Sequence, residues 1–116
     1  MGRIPKGLLI GGAIAALVYI GLFRSPSEII NVKYRGPIDL RYFSCTNVER
    51  SSFIKRVCYD RSNSYMVISL NGVYYQYCEI DNGTVASLLK ADSMGQFYNG
   101  TIKGRFDCRT HRVPIY

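Results

Sequence analysis

The clearest local pattern is a pair of largely apolar, β-rich runs, Tyr65–Leu70 and Val73–Cys78, separated by the polar Asn71-Gly72. Asn-Gly between β-rich runs predicts a two-residue type I′ hairpin, because both central residues of that turn need positive φ. The turn fixes the register. Leu70 faces Val73, Ile68 faces Tyr75 and Met66 faces Tyr77, so one face is continuously apolar and belongs to the core. Val67, Ser69, Tyr74, Gln76 and Cys78 take the opposite face. A preceding strand, about Ile54 to Tyr59, ends at the turn-rich Asp60–Asn63 and returns beside Tyr65–Leu70, which completes a three-stranded antiparallel meander. After the hairpin, Asp81 or Asn82 caps a helix whose Val85, Leu88, Leu89 and Met94 recur near helical spacing and lay one stripe on the sheet. Gly95, Asn99, Gly100 and Gly104 argue against helix past Asp92.

A different pattern opens the chain. Gly7–Phe23 is an unbroken uncharged run bracketed by Arg3 and Lys6 before it and Arg24 after it. As a helix it would rise roughly 25 Å at about 1.5 Å per residue, the short end of what spans a hydrocarbon core about 30 Å thick. A cleaved signal peptide is the rival reading. The small residues Ala13 and Ala15 fall mid-run and the far end, Leu22-Phe23-Arg24, is bulky and charged, so a retained signal anchor is favoured. Gly7, Gly11 and Ala15 lie four apart, a helix face small enough for another helix to approach. The flanking charges nearly balance, so cysteine chemistry decides orientation. Four cysteines in a small domain, Cys45, Cys58, Cys78 and Cys108, fit a compartment where disulfides form. The domain is therefore expected on the periplasmic side of the inner (cytoplasmic) membrane, single-pass.

Zinc is a poor fit, since no cysteine pair has the C-x₂₋₄-C spacing and the only histidine, His111, lies in a polar tail. In a meander Cys58 and Cys78 lie on the outer strands, roughly 9–10 Å apart at about 4.8 Å per strand, beyond the usual Cα limit of about 7 Å for a bridge. Two pairings remain, each joining one strand cysteine to Cys45 and the other to Cys108, with a slight preference for Cys45–Cys58 and Cys78–Cys108. Residues 25–37 carry prolines and turn formers and read as a connector with a short apolar patch at Ile29-Ile30. Alternation at Ile38, Leu40 and Tyr42 hints at an extended piece.

Ser51–Ile54 through Val57–Asp60, Gly72–Tyr77, Leu88–Ala91, Ser93–Asn99 and Ile102–Phe106 follow one another in an order that resembles the KTSC domain, named for the C-terminal extension of some lysyl-tRNA synthetases. The family's central Tyr-x-Tyr matches Tyr75-Gln76-Tyr77. The resemblance implies little about activity beyond a suggested role in RNA binding. Three features depart from it: Asp81–Thr84 at the helix entry where prolines are common, the four cysteines, and the N-terminal run. The resulting organisation is a transmembrane anchor at 1–24, a linker at 25–44 and a KTSC-like domain at 45–116. Its expected fold is α+β, an N-terminal transmembrane helix before an antiparallel meander of about three strands, one packed helix and a disulfide-tied C-terminal segment.

Charge narrows the function less than the pI of about 9.4 suggests, because discounting Arg3, Lys6 and Arg24 leaves 12 basic residues against 8 acidic. Tyrosines interleaved with basic residues can stack bases, but the hairpin register turns Tyr75 and Tyr77 to the core. The densest basic cluster is Lys103, Arg105, Arg109 and Arg112, a candidate patch for anionic headgroups or an acidic partner protein. Paired carboxylates, a phosphate loop and a nucleophile with a nearby base are all missing from the sequence pattern. The expectation is a non-enzymatic, membrane-anchored binding or assembly module without cofactor or small-molecule substrate. Its partner would be another membrane protein, as an accessory subunit, or a second copy as a dimer. The alternative is a nucleic-acid-binding module.

Overall fold

The computed structural model describes residues 27–116. Six strands, β1 (Ile29–Val32), β2 (Gly36–Asp39), β3 (Ser44–Asn47), β4 (Ile54–Asp60), β5 (Tyr65–Leu70) and β6 (Val73–Tyr77), form one sheet in the order β2-β1-β6-β5-β4-β3. The β4-β5-β6 meander is present, and the hairpin pairs Leu70 with Val73, Ile68 with Tyr75 and Met66 with Tyr77. Asn71 and Gly72 both have positive φ, at 51° and 88°. Three strands is nevertheless too few. Residues 29–47, read largely as a linker, add three more, and the parallel β1–β6 pairing makes the sheet mixed rather than antiparallel.

The extra strands exist because the sheet has two faces to cover. On one face Val57, Met66 and Ile68 pack with Ile80, Val85 and Leu88. On the other, Cys58, Tyr65, Val67 and Cys78 are fully buried against Ile30, Val32, Ile38 and Leu40. For β1 and β2 to reach that second face the sheet must curl. A bidentate pair, Arg56 to the Glu28 carboxylate at 2.6 and 2.9 Å, ties the start of β1 across to β4.

Helix α1 (Asn82–Lys90) begins as the sequence predicts, with the Asp81 carboxylate accepting from the Thr84 N–H at 3.0 Å. Its end is held by Arg50, which donates to the carbonyls of Ala91 at 2.7 Å and Leu89 at 2.9 Å. Helical structure then resumes, against the expectation from the glycines. Ser93 caps a short α2 (Met94–Phe97) that runs into a π-helical turn at Tyr98–Ile102. Met94 and Ile102 are buried there, and that packing outweighs the propensity cost of Gly95 and Gly100.

Among the described residues no helix is long and apolar enough to cross a membrane. The run Gly7–Phe23, with the proposed packing face Gly7, Gly11 and Ala15, lies outside the described residues.

Candidate functional site

β1 parts from β6 almost as soon as they meet. Among the described residues their one register pair is Val32 with Tyr74, after which the Lys33 N–H donates to the Tyr74 carbonyl at 2.9 Å. The chain then turns, with the Arg35 N–H donating to the Val32 carbonyl at 3.0 Å. Tyr34, third residue of that turn, has φ of 68° and an exposure of 90 %. Positive φ at this position is the type II geometry that suits glycine or asparagine, not an aromatic residue. Just past the end of β6, the Cys78 N–H donates to the Phe106 carbonyl at 2.8 Å, and the Cys78–Cys108 disulfide holds the neighbouring residues beside the strand.

Between these two attachments lies a groove of about 660 Å³. Lys33 and Tyr34 form one wall, Asp107, Cys108 and Arg109 the other, and Tyr75–Tyr77 the floor. The Lys33 ammonium stands 5.4 Å from the Tyr34 ring centre and 5.5 Å from that of Tyr75, within cation–π range of both. Opposite, Arg109 grips the Asp107 carboxylate through Nε and Nη2 at 2.6 to 3.1 Å. The guanidinium holds the Asp107 carboxyl down at about 2. Arg109 is largely neutralised by this pair. Lys33 has no carboxylate partner among the described residues and supplies the groove's uncompensated charge.

Tyr75 and Tyr77 do face the apolar core, as the register requires, but only half-buried. Tyr77 stacks edge-on against Tyr98, and their hydroxyls hydrogen-bond to each other. Burial pushes the Tyr77 phenol well above its ordinary value. The inner parts of both side chains therefore serve packing, and the outer parts line the groove.

The residues of the C-terminal basic cluster differ in what they contact. Arg109 is engaged by Asp107, and Arg112 donates to the Asn63 carbonyl at 3.1 Å while its N–H reaches Glu79 at 2.9 Å. Lys103 and Arg105 are exposed. The cysteines pair as Cys45–Cys58 and Cys78–Cys108, and none of the four is free. Ser51 is structural, its hydroxyl accepting from the Phe53 and Ile54 N–H groups. His111 is exposed, with Nδ1 2.8 Å from the Asp107 carbonyl. No group of three His, Cys, Asp or Glu side chains among the described residues could hold a metal ion.

Sequence reasoning missed Lys33, Tyr34 and Asp107. The one available signal was an aromatic residue between two basic ones, Lys33-Tyr34-Arg35, in a turn-rich stretch. Nothing local connects it to Tyr75 or to Asp107.

A family model of the KTSC domain matches residues 50–106. The crystal structure of a KTSC domain protein from Yersinia pestis superposes with a TM-score of 0.51 at 30% sequence identity, covering 54% of this chain and 89% of that one. No curated protein matches. The family match takes in β4 to β6 and both helices. It leaves out β1 to β3, and with them Lys33 and Tyr34, together with the Asp107–Arg109 wall.

Proposed function

The chain belongs to the KTSC domain family, and we propose that it is a non-enzymatic binding or assembly module that works outside the cytoplasm, with the tyrosine-walled groove as its contact surface. One observation carries this reading: Tyr34, 90 % exposed, is held in a backbone conformation that costs an aromatic residue energy, and it stands over the groove. Strain retained at an exposed aromatic residue is a reason to look for a ligand. The two disulfides support an oxidising compartment. The titratable groups in the groove support binding over catalysis, because Asp107 is committed to Arg109.

The test compares the wild-type chain with Tyr34→Asn as bait in a native extracytoplasmic extract. A partner retained by the wild type and lost by a variant with unchanged melting temperature supports the reading; equal retention by both removes the groove from it. Attachment to a membrane, the finer part of the proposal, is supported by the sequence Gly7–Phe23. An intact mass beginning beyond that run would end it.

A nucleic-acid role is favoured by one feature, the Lys33 ammonium between the Tyr34 and Tyr75 rings, an arrangement suited to a stacked base and its phosphate. Binding of single-stranded RNA that weakens steeply with salt, and is lost in Tyr34→Asn, would establish it.

A further inference from the structure

The floor of the groove is a break in the sheet. A two-residue hairpin places Val73, Tyr75 and Tyr77 as the β6 residues whose main-chain groups bond to β5, so those of Tyr74, Gln76 and Cys78 point the other way. On that outer side Tyr74 is taken by Lys33 and Cys78 by Phe106. Gln76 lies between them, and among the described residues no strand pairs with it there, since the β1–β6 register ends at Val32–Tyr74. Its side chain is on the far face, where Oε1 accepts from the Tyr65 hydroxyl at 2.8 Å. What Gln76 presents to the groove is one N–H and one C=O, inside a sheet that is otherwise bonded on both sides of them.

We propose that this gap is a peptide-binding slot that takes the C-terminal residues of an extended chain, one ligand residue pairing with the Gln76 main chain and the ligand α-carboxylate resting near the Lys33 ammonium. The inference deepens the binding-module reading and rests on it. Three observations select this ligand. The exposed pair of main-chain groups is what strand addition uses. The slot is one residue pair long and closed at both ends by Lys33 and Phe106, which suits a chain end and not a through-running strand. The uncompensated charge at its rim is positive, and the volume of about 660 Å³ is that of a small-ligand site. Tyr34 and Tyr75 then supply apolar walls for the ligand's side chains.

The experiment is an amide NMR titration of the oxidised full chain with the tripeptide acetyl-Val-Tyr-Val as the free acid, its C-terminal amide, and its analogue N-methylated at the tyrosine. In the free protein the Gln76 amide should exchange rapidly with solvent, unlike those of Tyr75 and Tyr77; a protected Gln76 amide overturns the proposal. Addition of the free acid should shift and protect Gln76. The amide and the N-methyl analogue should each bind roughly tenfold more weakly, and Tyr34→Asn should weaken the free acid similarly. Equal binding of all three peptides within the groove overturns strand pairing and carboxylate recognition but leaves the groove as a binding site. Shifts in the groove with an oligodeoxythymidylate and none with the peptides replace the peptide with nucleic acid. Shifts confined to other surfaces, or none at millimolar peptide and oligonucleotide, overturn the slot and the binding-module reading together.

Discussion

Tyr34 occupies a position where glycine would be at ease. Its φ of 68° costs a bulky residue on the order of 1 kcal/mol or more, and its ring gains little from burial because it is exposed. Tyr34→Gly should therefore hold or raise the melting temperature while removing the ring from the groove. A thermal melt together with the tripeptide titration checks both halves, and a variant that melts lower would show that the ring packs in solution. Asp107 makes a pH prediction with a definite sign. Its carboxyl is held at about 2 by Arg109, below an unfolded value near 3.8, so its contribution to stability is present above about pH 4 and is lost as pH falls toward 2. Glu28, Asp39 and Asp81 are lowered as well, by Arg56, Arg41 and Thr84 respectively. Acidification from pH 5 to 2 should lower the melting temperature steadily, and a plateau or rise across that window would contradict the pairing at all four sites.

Elements were legible where their signals are local. The Asn71-Gly72 turn, the β-rich runs on either side of it and the Asp81 cap each act within a few residues, and each reads directly from the sequence. β1 and β2 carry an alternation in the buried Ile30, Val32 and Ile38, but in four-residue pieces separated by the turn at residues 33–35 and containing Pro37. Proline is tolerated there because β2 is an edge strand. β3 is wholly exposed and has no hydrophobic pattern to read; it owes its place to pairing with β4 across Cys45 and Cys58. Helix α2 was hidden for the opposite reason, since Gly95 looks like a breaker and acts as a spacer. A Cβ at Gly95 would stand 2.7 Å from the Phe53 ring, which is itself packed edge-on against Tyr98. Gly95→Ala should therefore destabilise the domain by about 1–3 kcal/mol despite alanine's better helix propensity. Denaturant unfolding measures it, and a stabilised variant would mean that Phe53 moves aside freely. The groove as a whole was not legible, because its walls and floor come from residues 33–34, 107–109 and 75–77, joined only by the curl of the sheet.

At the scale of the molecule, the two disulfides fasten segments outside the family match to the matched core. Cys58 and Cys78 lie within the stretch that matches the KTSC domain, and their partners Cys45 and Cys108 lie outside it. Both core cysteines are fully buried, so each bridge leaves the interior and anchors a peripheral segment. The two bridges should nevertheless differ in what they control. Cys45–Cys58, spanning 13 residues, holds the edge strand β3, far along the sheet order from the groove. Cys78–Cys108, spanning 30, holds the segment that carries Asp107 and Arg109 and forms a groove wall. Chain-entropy arguments give each bridge a similar stabilisation, about 3–4 kcal/mol. The paired substitutions Cys45→Ala with Cys58→Ala, and Cys78→Ala with Cys108→Ala, should thus lower the melting temperature by comparable amounts. They should separate in binding, measured below both melting temperatures: the first pair should retain affinity for the tripeptide, and the second should lose most of it as the wall detaches. Loss of affinity in both, or in neither, would show that the 107–109 wall is not what gives the groove its ligand. The selective outcome would place recognition in residues that lie outside the stretch matching the KTSC domain.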